Sequence, residues 1–326
     1  MPPDAATAPA TAPSAAPASG SADKLLQRLE WTSLRRLEGL LQGDYRTLMR
    51  GVGLDLADLR EYQLHDDVRH IDWNVTARLQ QPHVRQFTED REMTVWFLLD
   101  LSASVDFGSG DRTKRQTSAE LVGTLARLLT RHGNRVGAVL YGDGVQQVLP
   151  ARSGRRHVLH LLQSMMAPGA AAATRHAPPA QASASGVTRL TELLAAGVQT
   201  MKRRSTVFVV SDFISQPGWD RPLAQLVQKH DVVAVRLVDP LELDLPNLGL
   251  ITLHDAETGE HMLVDTGDQR FRGRFARIAA QREAELMEGL SRAGADTLEL
   301  STDDDLVDTL MRFIDLRRRR QRLRAA

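Results

Sequence analysis

The sequence contains no cysteine and no long apolar run, and each absence excludes a class of protein. Without cysteine the chain can form no disulfide framework, no thiolate metal site and no cysteine nucleophile. The longest apolar runs, such as 95–99 and 232–235, are far shorter than the ~20 residues that a membrane-spanning helix needs. Since the first residues also lack the basic and apolar regions of a signal peptide, we expect a cytoplasmic protein.

An excess of charge of either sign is also absent, because 41 basic residues balance 41 acidic ones. A chain with no net charge has no overall attraction to nucleic acid or to anionic lipid, so any such binding has to be local. The hydrophobic content of 42% is that of a globular protein and excludes a wholly disordered chain. The length of 326 residues allows one large domain or two modest ones.

The N-terminal part of the chain differs in composition from the rest. Residues 1–22 are rich in alanine and proline and carry no large apolar side chain after the initial methionine, which predicts a disordered tail. The segment 23–90 begins with an amphipathic helical stretch, for which Ser21 or Asp23 is the expected N-cap, and continues as an irregular polar region with one strand at 83–88. Because the irregular region is too short for a core of its own, it predicts a small N-terminal lobe.

From 91 to 316, apolar strands alternate with helical patterns of ten or more residues. This alternation indicates βαβ crossovers, and therefore an α/β domain with a doubly wound, mostly parallel, Rossmann-like sheet. The turn 142–144 predicts a hairpin that adds one antiparallel strand. A stretch rich in alanine, proline and serine at 167–186 predicts a flexible insertion, and 317–326 is a basic tail. The predicted strands are 93–99, 136–141, 145–149, 206–210, 232–238, 250–254, 261–264 and 297–300, and the predicted helices include 155–166, 188–202, 219–230, 271–292 and one from about 302.

Five polar side chains follow predicted strand ends or begin a predicted helix. Asp100, Ser102 and Ser104 follow the first strand of the sheet, Asp212 follows a later central strand, and Thr188 begins a helix. In doubly wound sheets, ligands bind beyond the carboxyl ends of the strands near the point where the strand order reverses, so we expect these groups to converge. Carboxylate and hydroxyl oxygens are hard ligands that suit Mg²⁺ or Mn²⁺. The pattern therefore predicts an open, octahedral metal site.

The alternative is that each of these side chains has a structural role. Ser102 or Ser104 and Thr188 would then cap helices, and Asp100 and Asp212 would accept hydrogen bonds from loop amides. Such a role suits any one of the residues taken alone. Their joint occurrence favours the metal site.

The order of these residues, Asp-x-Ser-x-Ser followed by Gly-x-Thr and then by Asp, resembles the metal-ion-dependent adhesion site of von Willebrand factor type A domains. The resemblance implies that Ser102, Ser104 and Thr188 bind the ion directly and that the two aspartates support them, mostly through water. It also implies that a carboxylate of a partner fills the open coordination position. Thr191, on the same predicted helix, is the alternative to Thr188.

A second resemblance lies in the segment before the first sheet strand. The sequences EYQLHDDVRHIDW at 61–73, TAR at 76–78 and VRQFTE at 84–89 resemble the signature of the bacterial family catalogued as domain of unknown function 58. The similarity is strongest over 61–104 and extends loosely over 43–314. Members couple this segment to a von Willebrand A-like domain. The resemblance implies an association with a MoxR-type AAA+ ATPase, as a substrate adaptor or as an accessory factor in protein maturation.

Two other functions stay open. The cluster from His65 to Asp72 is compatible with a metal-dependent phosphohydrolase, in which imidazole and carboxylates hold cations that activate water. Its acids would otherwise pair with Arg69 and Arg78 and cap turns. The arginine-rich tail 317–326 is compatible with binding to nucleic acid or to an acidic partner, and otherwise suits the negative end of the last helix.

Several known catalytic patterns are missing from the sequence, namely the G-x-S-x-G elbow, the P-loop and the H-E-x-x-H motif. We therefore expect a non-enzymatic module for protein–protein interaction, in which Mg²⁺ or Mn²⁺ captures an acidic side chain of a partner. The resemblance implies a MoxR-type AAA+ ATPase, or a client of that ATPase, as the partner. We expect neither a membrane span nor nucleic acid among its contacts.

Overall fold

The computed structural model of the chain describes residues 19–41, 58–63, 68, 71–86, 93–167, 188–254 and 261–325. The strands of this part are β1 (Asp58–Glu61), β2 (His83–Gln86), β3 (Thr94–Asp100), β4 (Arg135–Tyr141), β5 (Val145–Arg152), β6 (Thr206–Ser211), β7 (Asp231–Val238), β8 (Leu250–His254), β9 (His261–Asp265) and β10 (Asp296–Ser301). The helices are α1 (Ser19–Leu29), α2 (Arg35–Leu41), α3 (Trp73–Leu79), α4 (Lys114–Arg131), α5 (Arg155–Met166), α6 (Leu190–Thr200), α7 (Asp220–Lys229), α8 (Pro240–Leu243), α9 (Gln269–Ala293) and α10 (Leu306–Ala325). The predicted elements of the α/β domain are confirmed to within a few residues.

The central sheet has six strands in the order β10-β7-β6-β3-β4-β5. Neighbouring strands are parallel except β5, which pairs antiparallel with β4 as the hairpin prediction requires. The chain runs from β3 to β4 on one side and, after β5, continues with β6 on the other side of β3. The strand order therefore reverses at β3, and the predicted doubly wound, mostly parallel sheet is confirmed.

The two faces of the sheet carry separate apolar cores. Strands β6 and β7 are buried along their whole length, which explains why their sequences are mainly apolar, with Arg236 as the charged residue inside β7. Successive residues of β3 point to opposite faces, so Phe97 stacks on Phe208 in one core while Trp96 and Leu98 belong to the other. Helices α1, α2, α4, α5 and α10 cover the first face, and helices α6, α7 and α9 cover the second.

The N-terminal helices belong to the α/β domain, which corrects two expectations. Helix α1 begins at Ser19, so the predicted tail over 1–22 ends earlier, and neither Ser21 nor Asp23 is its N-cap. Ala22 and Leu26 are fully buried in the core of the first face. The small alanine side chain allows the helix to approach α4 and α5 closely, which the alanine-rich composition alone does not reveal.

Helices α1 and α2, joined by a π-helical turn, pack along α4. Gly123 of α4 makes room for them, because a Cβ atom there would lie 2.9 Å from Leu29 Cδ1. Arg127 Nε donates to Glu30 Oε1 at 2.6 Å, and Arg131 pairs with Glu38 at 3.0 Å. The predicted lobe over 23–90 is therefore divided, since its helical first part covers the sheet.

The remaining part of that lobe contains a small two-stranded sheet. The strand predicted at 83–88 is confirmed as β2, which pairs antiparallel with β1. Helix α3 is tied to this strand, because Thr76 Oγ1 accepts a hydrogen bond from the His83 backbone N–H at 3.1 Å. The described part of the lobe thus consists of one strand pair and one short helix.

The C-terminal arginines do not form the predicted basic tail over 317–326. Helix α10 continues through Ala325, and the Arg317 side chain is only 2% exposed. Its guanidinium donates to Asp231 at 2.7 Å and to Asp296 at 2.8 Å, the first residues of β7 and β10. A buried charge needs such partners, so the ion pairs hold this part of the segment on the sheet.

Two predicted segments lie outside the described residues. These are the tail up to residue 18 and, apart from Ala167, the insertion at 167–186. Among the described helices, none combines the length and the apolar composition of a membrane-spanning segment.

Replacing Arg317 with methionine is expected to lower the free energy of unfolding by about 3–5 kcal/mol, because two carboxylates lose their buried counter-charge. Arg320→Met is the matched control: Arg320 lies on the same helix and contacts Asp296 at 3.4 Å, but its side chain is 63% exposed. An exposed pair contributes about 1 kcal/mol or less. Urea denaturation at neutral pH measures both variants, and equal losses would contradict the structural role of Arg317.

Candidate functional site

The candidate site lies at the carboxyl edge of the central sheet, beside the point where the strand order reverses. Asp100 is the last residue of β3, Asp212 directly follows β6, and Asp239 directly follows β7. Because these strands are parallel neighbours, their carboxyl ends bring the three aspartates to one edge. Ligands of doubly wound sheets bind at such an edge. Asp239 is a member that the sequence pattern did not single out.

Asp100, Ser102 and Ser104 form the centre of this edge. Asp100 is fully buried, and its carboxylate accepts hydrogen bonds from the Ser102 backbone N–H at 3.0 Å and from Ser211 Oγ at 2.6 Å. The Oγ atoms of Ser102 and Ser104 are 3.2 Å apart. Two neighbouring ligands of an octahedral ion with bonds of ~2.1 Å are separated by about 3 Å. The two hydroxyl groups therefore have the spacing that one small divalent ion requires.

The environment of Asp100 opposes its negative charge. Burial raises its pKa to about 6, and the negative charge of Asp212 acts in the same direction. The hydrogen bonds from Ser211 and Ser102 favour the carboxylate and limit the increase. Asp100 is therefore ionised at neutral pH, but it lies in a place where an added positive charge would lower its free energy.

Asp212 is held by a buried lysine. The Lys114 side chain is 0% exposed, and its Nζ atom donates to Asp212 Oδ2 at 2.7 Å and to Glu242 Oε1 at 2.6 Å. The other carboxylate oxygen of Asp212 accepts from the Ile214 backbone N–H at 3.0 Å. Burial opposes the charge of Lys114, but the two carboxylates outweigh it and raise its pKa. We call these three residues, Lys114, Asp212 and Glu242, the lysine triad.

Sequence reasoning missed Lys114 and Glu242. One signal was present, because Lys114 is the first residue of α4 and the positive end of a helix disfavours a lysine there. A basic residue in the first turn of a buried helix needs acidic partners. The sequence alone does not identify them, since Asp212 is 98 residues away and Glu242 is 128 residues away.

Thr188 lies beside the loop that follows Asp212. Its backbone carbonyl accepts hydrogen bonds from Ser215 Oγ at 3.0 Å and from the Gln216 backbone N–H at 3.1 Å. The next residue, Arg189, donates its backbone N–H to the hydroxyl of Tyr141, which ends β4 beside Asp100. Hydrogen bonds thus connect Asp100 with the two serines, whereas Thr188 is connected to the loop after Asp212 and to the end of β4.

Asp239 closes the edge on the β7–β10 side. It is fully buried and accepts from the Ser109 backbone N–H at 2.9 Å, the Leu241 backbone N–H at 3.0 Å and Thr302 Oγ1 at 2.9 Å. Burial opposes its charge, but these hydrogen bonds prevail and its pKa lies below the ordinary value. The backbone N–H of Asp239 in turn donates to Glu242 at 3.2 Å, which links this residue to the lysine triad.

The alternative cluster from His65 to Asp72 lies mostly outside the described residues. Asp72 itself is described, and its Oδ1 atom accepts from the Val75 backbone N–H at 3.2 Å at the start of α3, which is the capping role. Within the described ranges, no group of three histidine, cysteine, aspartate or glutamate side chains could hold a metal ion.

Comparison with known proteins identifies the chain's relatives. The family described as "Protein of unknown function DUF58" matches residues 58–285. The uncharacterized protein Rv1480 of Mycobacterium tuberculosis is 36% identical over 294 residues, which cover 90% of this chain and 89% of that protein. The uncharacterized protein MAV169 of Mycobacterium avium is 33% identical over 171 residues, 52% of this chain and 94% of that protein.

Two solved structures have a similar arrangement. One is an aerotolerance-related membrane protein from Bacteroides fragilis, with 11% sequence identity and a TM-score of 0.44 over 70% of this chain and 99% of that chain. The other is the conserved hypothetical protein BatB from Bacteroides thetaiotaomicron, with 11% identity and a TM-score of 0.42 over 70% of this chain and 99% of that chain.

Asp239→Asn is expected to lower the free energy of unfolding by about 1–3 kcal/mol at neutral pH, because an amide cannot accept all three hydrogen bonds. The depressed pKa means that this stabilisation is complete above the ordinary value of 3.8 and is lost as the pH falls through the lower folded value. The difference between wild type and variant should therefore shrink as the pH is lowered from neutral to values below 3.8.

Urea denaturation over this pH range measures the effect, and the exposed Asp244→Asn serves as the matched control. A deficit of Asp239→Asn that stays constant with pH would contradict the assignment.

Proposed function

We propose, from the premise that this chain belongs to the DUF58 family, that it is a non-enzymatic module for metal-dependent protein–protein interaction. In this proposal Ser102, Ser104 and Thr188 bind Mg²⁺ or Mn²⁺ directly, and Asp100 and Asp212 support them. The observation that carries the proposal is the pair of serine hydroxyl groups, 3.2 Å apart beside the buried Asp100.

The chemistry of the donors supports a hard divalent cation. Hydroxyl and carboxylate oxygens are the ligands that Mg²⁺ and Mn²⁺ prefer. Taken as a group, the three acids Asp100, Asp212 and Glu242 and the cation Lys114 have a formal charge of −2. The carboxylate of Asp100 accepts hydrogen bonds from the Ser102 backbone amide and from the Ser211 hydroxyl group, which are both uncharged donors.

The choice of direct ligands also supports an acidic ligand from outside. The three proposed direct ligands are neutral hydroxyl groups and the two aspartates act mostly through water, so a bound ion would stay electrophilic and could accept a carboxylate at an open position. Ser102 and Ser104 lie just beyond the carboxyl end of β3, and although both are buried, with 5% and 9% of their surface exposed, Ala103 between them is exposed. In this proposal the site positions the partner and performs no reaction on it.

The identity of the partner class rests on the family resemblance of the segment 61–73. We propose that the acidic side chain belongs to a MoxR-type AAA+ ATPase or to a client of that ATPase, and that the chain acts as an adaptor or accessory factor in protein or complex maturation.

Calorimetric titration of Mn²⁺ or Mg²⁺ into the chelator-treated protein tests the metal site. The wild type is expected to give a binding heat, and the double variant Ser102→Ala/Ser104→Ala is expected to lose it, because both direct hydroxyl ligands are gone. Ser205→Ala is the matched control, since Ser205 is also buried but lies at the opposite edge of the sheet, just before β6. Equal heats in wild type and double variant, or no heat in the wild type, would contradict the proposal.

The partner is tested separately with the purified MoxR-type ATPase of the same organism. We expect association in the presence of Mg²⁺, and loss of association in excess chelator and in the Ser102→Ala/Ser104→Ala variant. Association that persists unchanged under both conditions would show that binding does not use this site.

A further inference from the structure

Two members of the lysine triad, Lys114 and Glu242, have no role in the function proposed above, although Lys114 contacts the proposed metal-site residue Asp212. The Lys114 ammonium is completely removed from solvent and donates to Asp212 at 2.7 Å and to Glu242 at 2.6 Å. Its backbone N–H donates to the carbonyl of Phe107, at the end of the turn that follows Ser102 and Ser104. Lys114 therefore joins the serine turn, the loop after β6 and helix α8.

A buried lysine at this position is costly to the fold. Desolvation of an ammonium group is unfavourable, and the first turn of a helix adds the repulsion of the helix dipole. Well-packed apolar side chains of similar size often stabilise a core as well as a buried ion pair does. Since apolar side chains could replace the whole ion pair, stability alone does not explain the charge, and its effect on the neighbouring carboxylates is the more informative property.

That effect is a competition for Asp212. One carboxylate oxygen of Asp212 is occupied by the ammonium, and the other accepts from the Ile214 backbone N–H. With Lys114 present, the charges of Asp100, Asp212, Glu242 and Lys114 sum to −2; without it they sum to −3. A cation close to a metal site weakens the attraction for a second cation, and the low effective dielectric of the interior strengthens this repulsion.

We infer that Lys114 is an internal counter-cation that lowers the affinity of the proposed site for a divalent ion. This inference rests on the proposed function. Its consequence is that the ion is held more firmly when a partner contributes a further carboxylate, so binding of the ion and binding of the acidic partner become coupled. Thermodynamic reciprocity then requires the ion to strengthen partner binding by the same factor.

The test compares Mn²⁺ binding by calorimetry in the full chain without any partner. Lys114→Met keeps the length of the side chain and removes its charge, and we expect it to bind Mn²⁺ at least tenfold more tightly than the wild type. Lys202→Met is the matched control, because it removes the same charge from an exposed position near the opposite edge of the sheet. Its affinity for Mn²⁺ should equal that of the wild type.

A second variant protects the test against loss of folding. In Lys114→Met the acids Asp212 and Glu242 are left without their cation, which is destabilising in a buried place. The double variant Lys114→Met/Glu242→Gln removes one charge of each sign, so the formal charge stays at −2 while Asp212 is released. We expect it to bind Mn²⁺ more tightly than the wild type and to gain a larger increase of melting temperature from Mn²⁺.

The outcomes separate this inference from the proposed function. One pair of results would overturn the role of Lys114 and leave the metal site intact. In it, the wild type binds Mn²⁺ and Ser102→Ala/Ser104→Ala does not, while both lysine variants bind Mn²⁺ with the affinity of the wild type. Absence of Mn²⁺ binding in the wild type and in both lysine variants would overturn both. The inference and the proposed function are both supported if either folded lysine variant binds Mn²⁺ more tightly than the wild type and loses this binding when the two serine substitutions are added.

Discussion

The carboxyl edge of the sheet depends on one buried interaction, the contact of the Lys114 ammonium with Asp212 and Glu242. Asp100 and Asp212 follow neighbouring parallel strands, so the topology of the sheet itself forces two carboxylates together away from solvent. Glu242 adds a third negative charge from the short helix α8. A single ammonium between two of the acids reduces their repulsion, and it reaches them from α4, whose first residue lies at the same edge. The geometry of the edge is therefore set by charge as much as by apolar packing.

Most of the fold could be predicted from the sequence because its signals are local. The continuous apolar run of β3 and the leucine spacing of α4 each depend on residues within one element, and α5 was predicted at its observed bounds. The failures have non-local causes. The start of α1 depends on the burial of Ala22 in the core of the first sheet face, where α1 packs on the distant helices α4 and α5, and the ordering of Arg317 depends on Asp231, 86 residues earlier. Amino-acid composition alone predicts that both segments are tails, because it contains no information about these distant contacts.

The same distinction explains which parts of the candidate site could be predicted. Asp100, Ser102 and Ser104 lie within five consecutive residues, so their convergence follows from one strand end and one turn. Asp212 could be placed at the same edge because parallel strands align their ends. The lysine triad could not be predicted, because the chain contains many acidic residues that could pair with a lysine on a helix. Only the packing of α4 against the ends of β6 and β7 selects its partners.

The two halves of the edge differ in how well hydrogen bonds compensate the charge of their buried aspartates. On the β7–β10 side, Asp239 accepts three hydrogen bonds, and its depressed pKa indicates an environment adapted to negative charge. On the β3–β6 side, the raised pKa of Asp100 indicates the opposite, and the hydroxyl groups of Ser102 and Ser104 bond to each other. In the proposed function a divalent cation from outside the chain would compensate the charge of Asp100, and in the further inference Lys114 sets how strongly that cation is held.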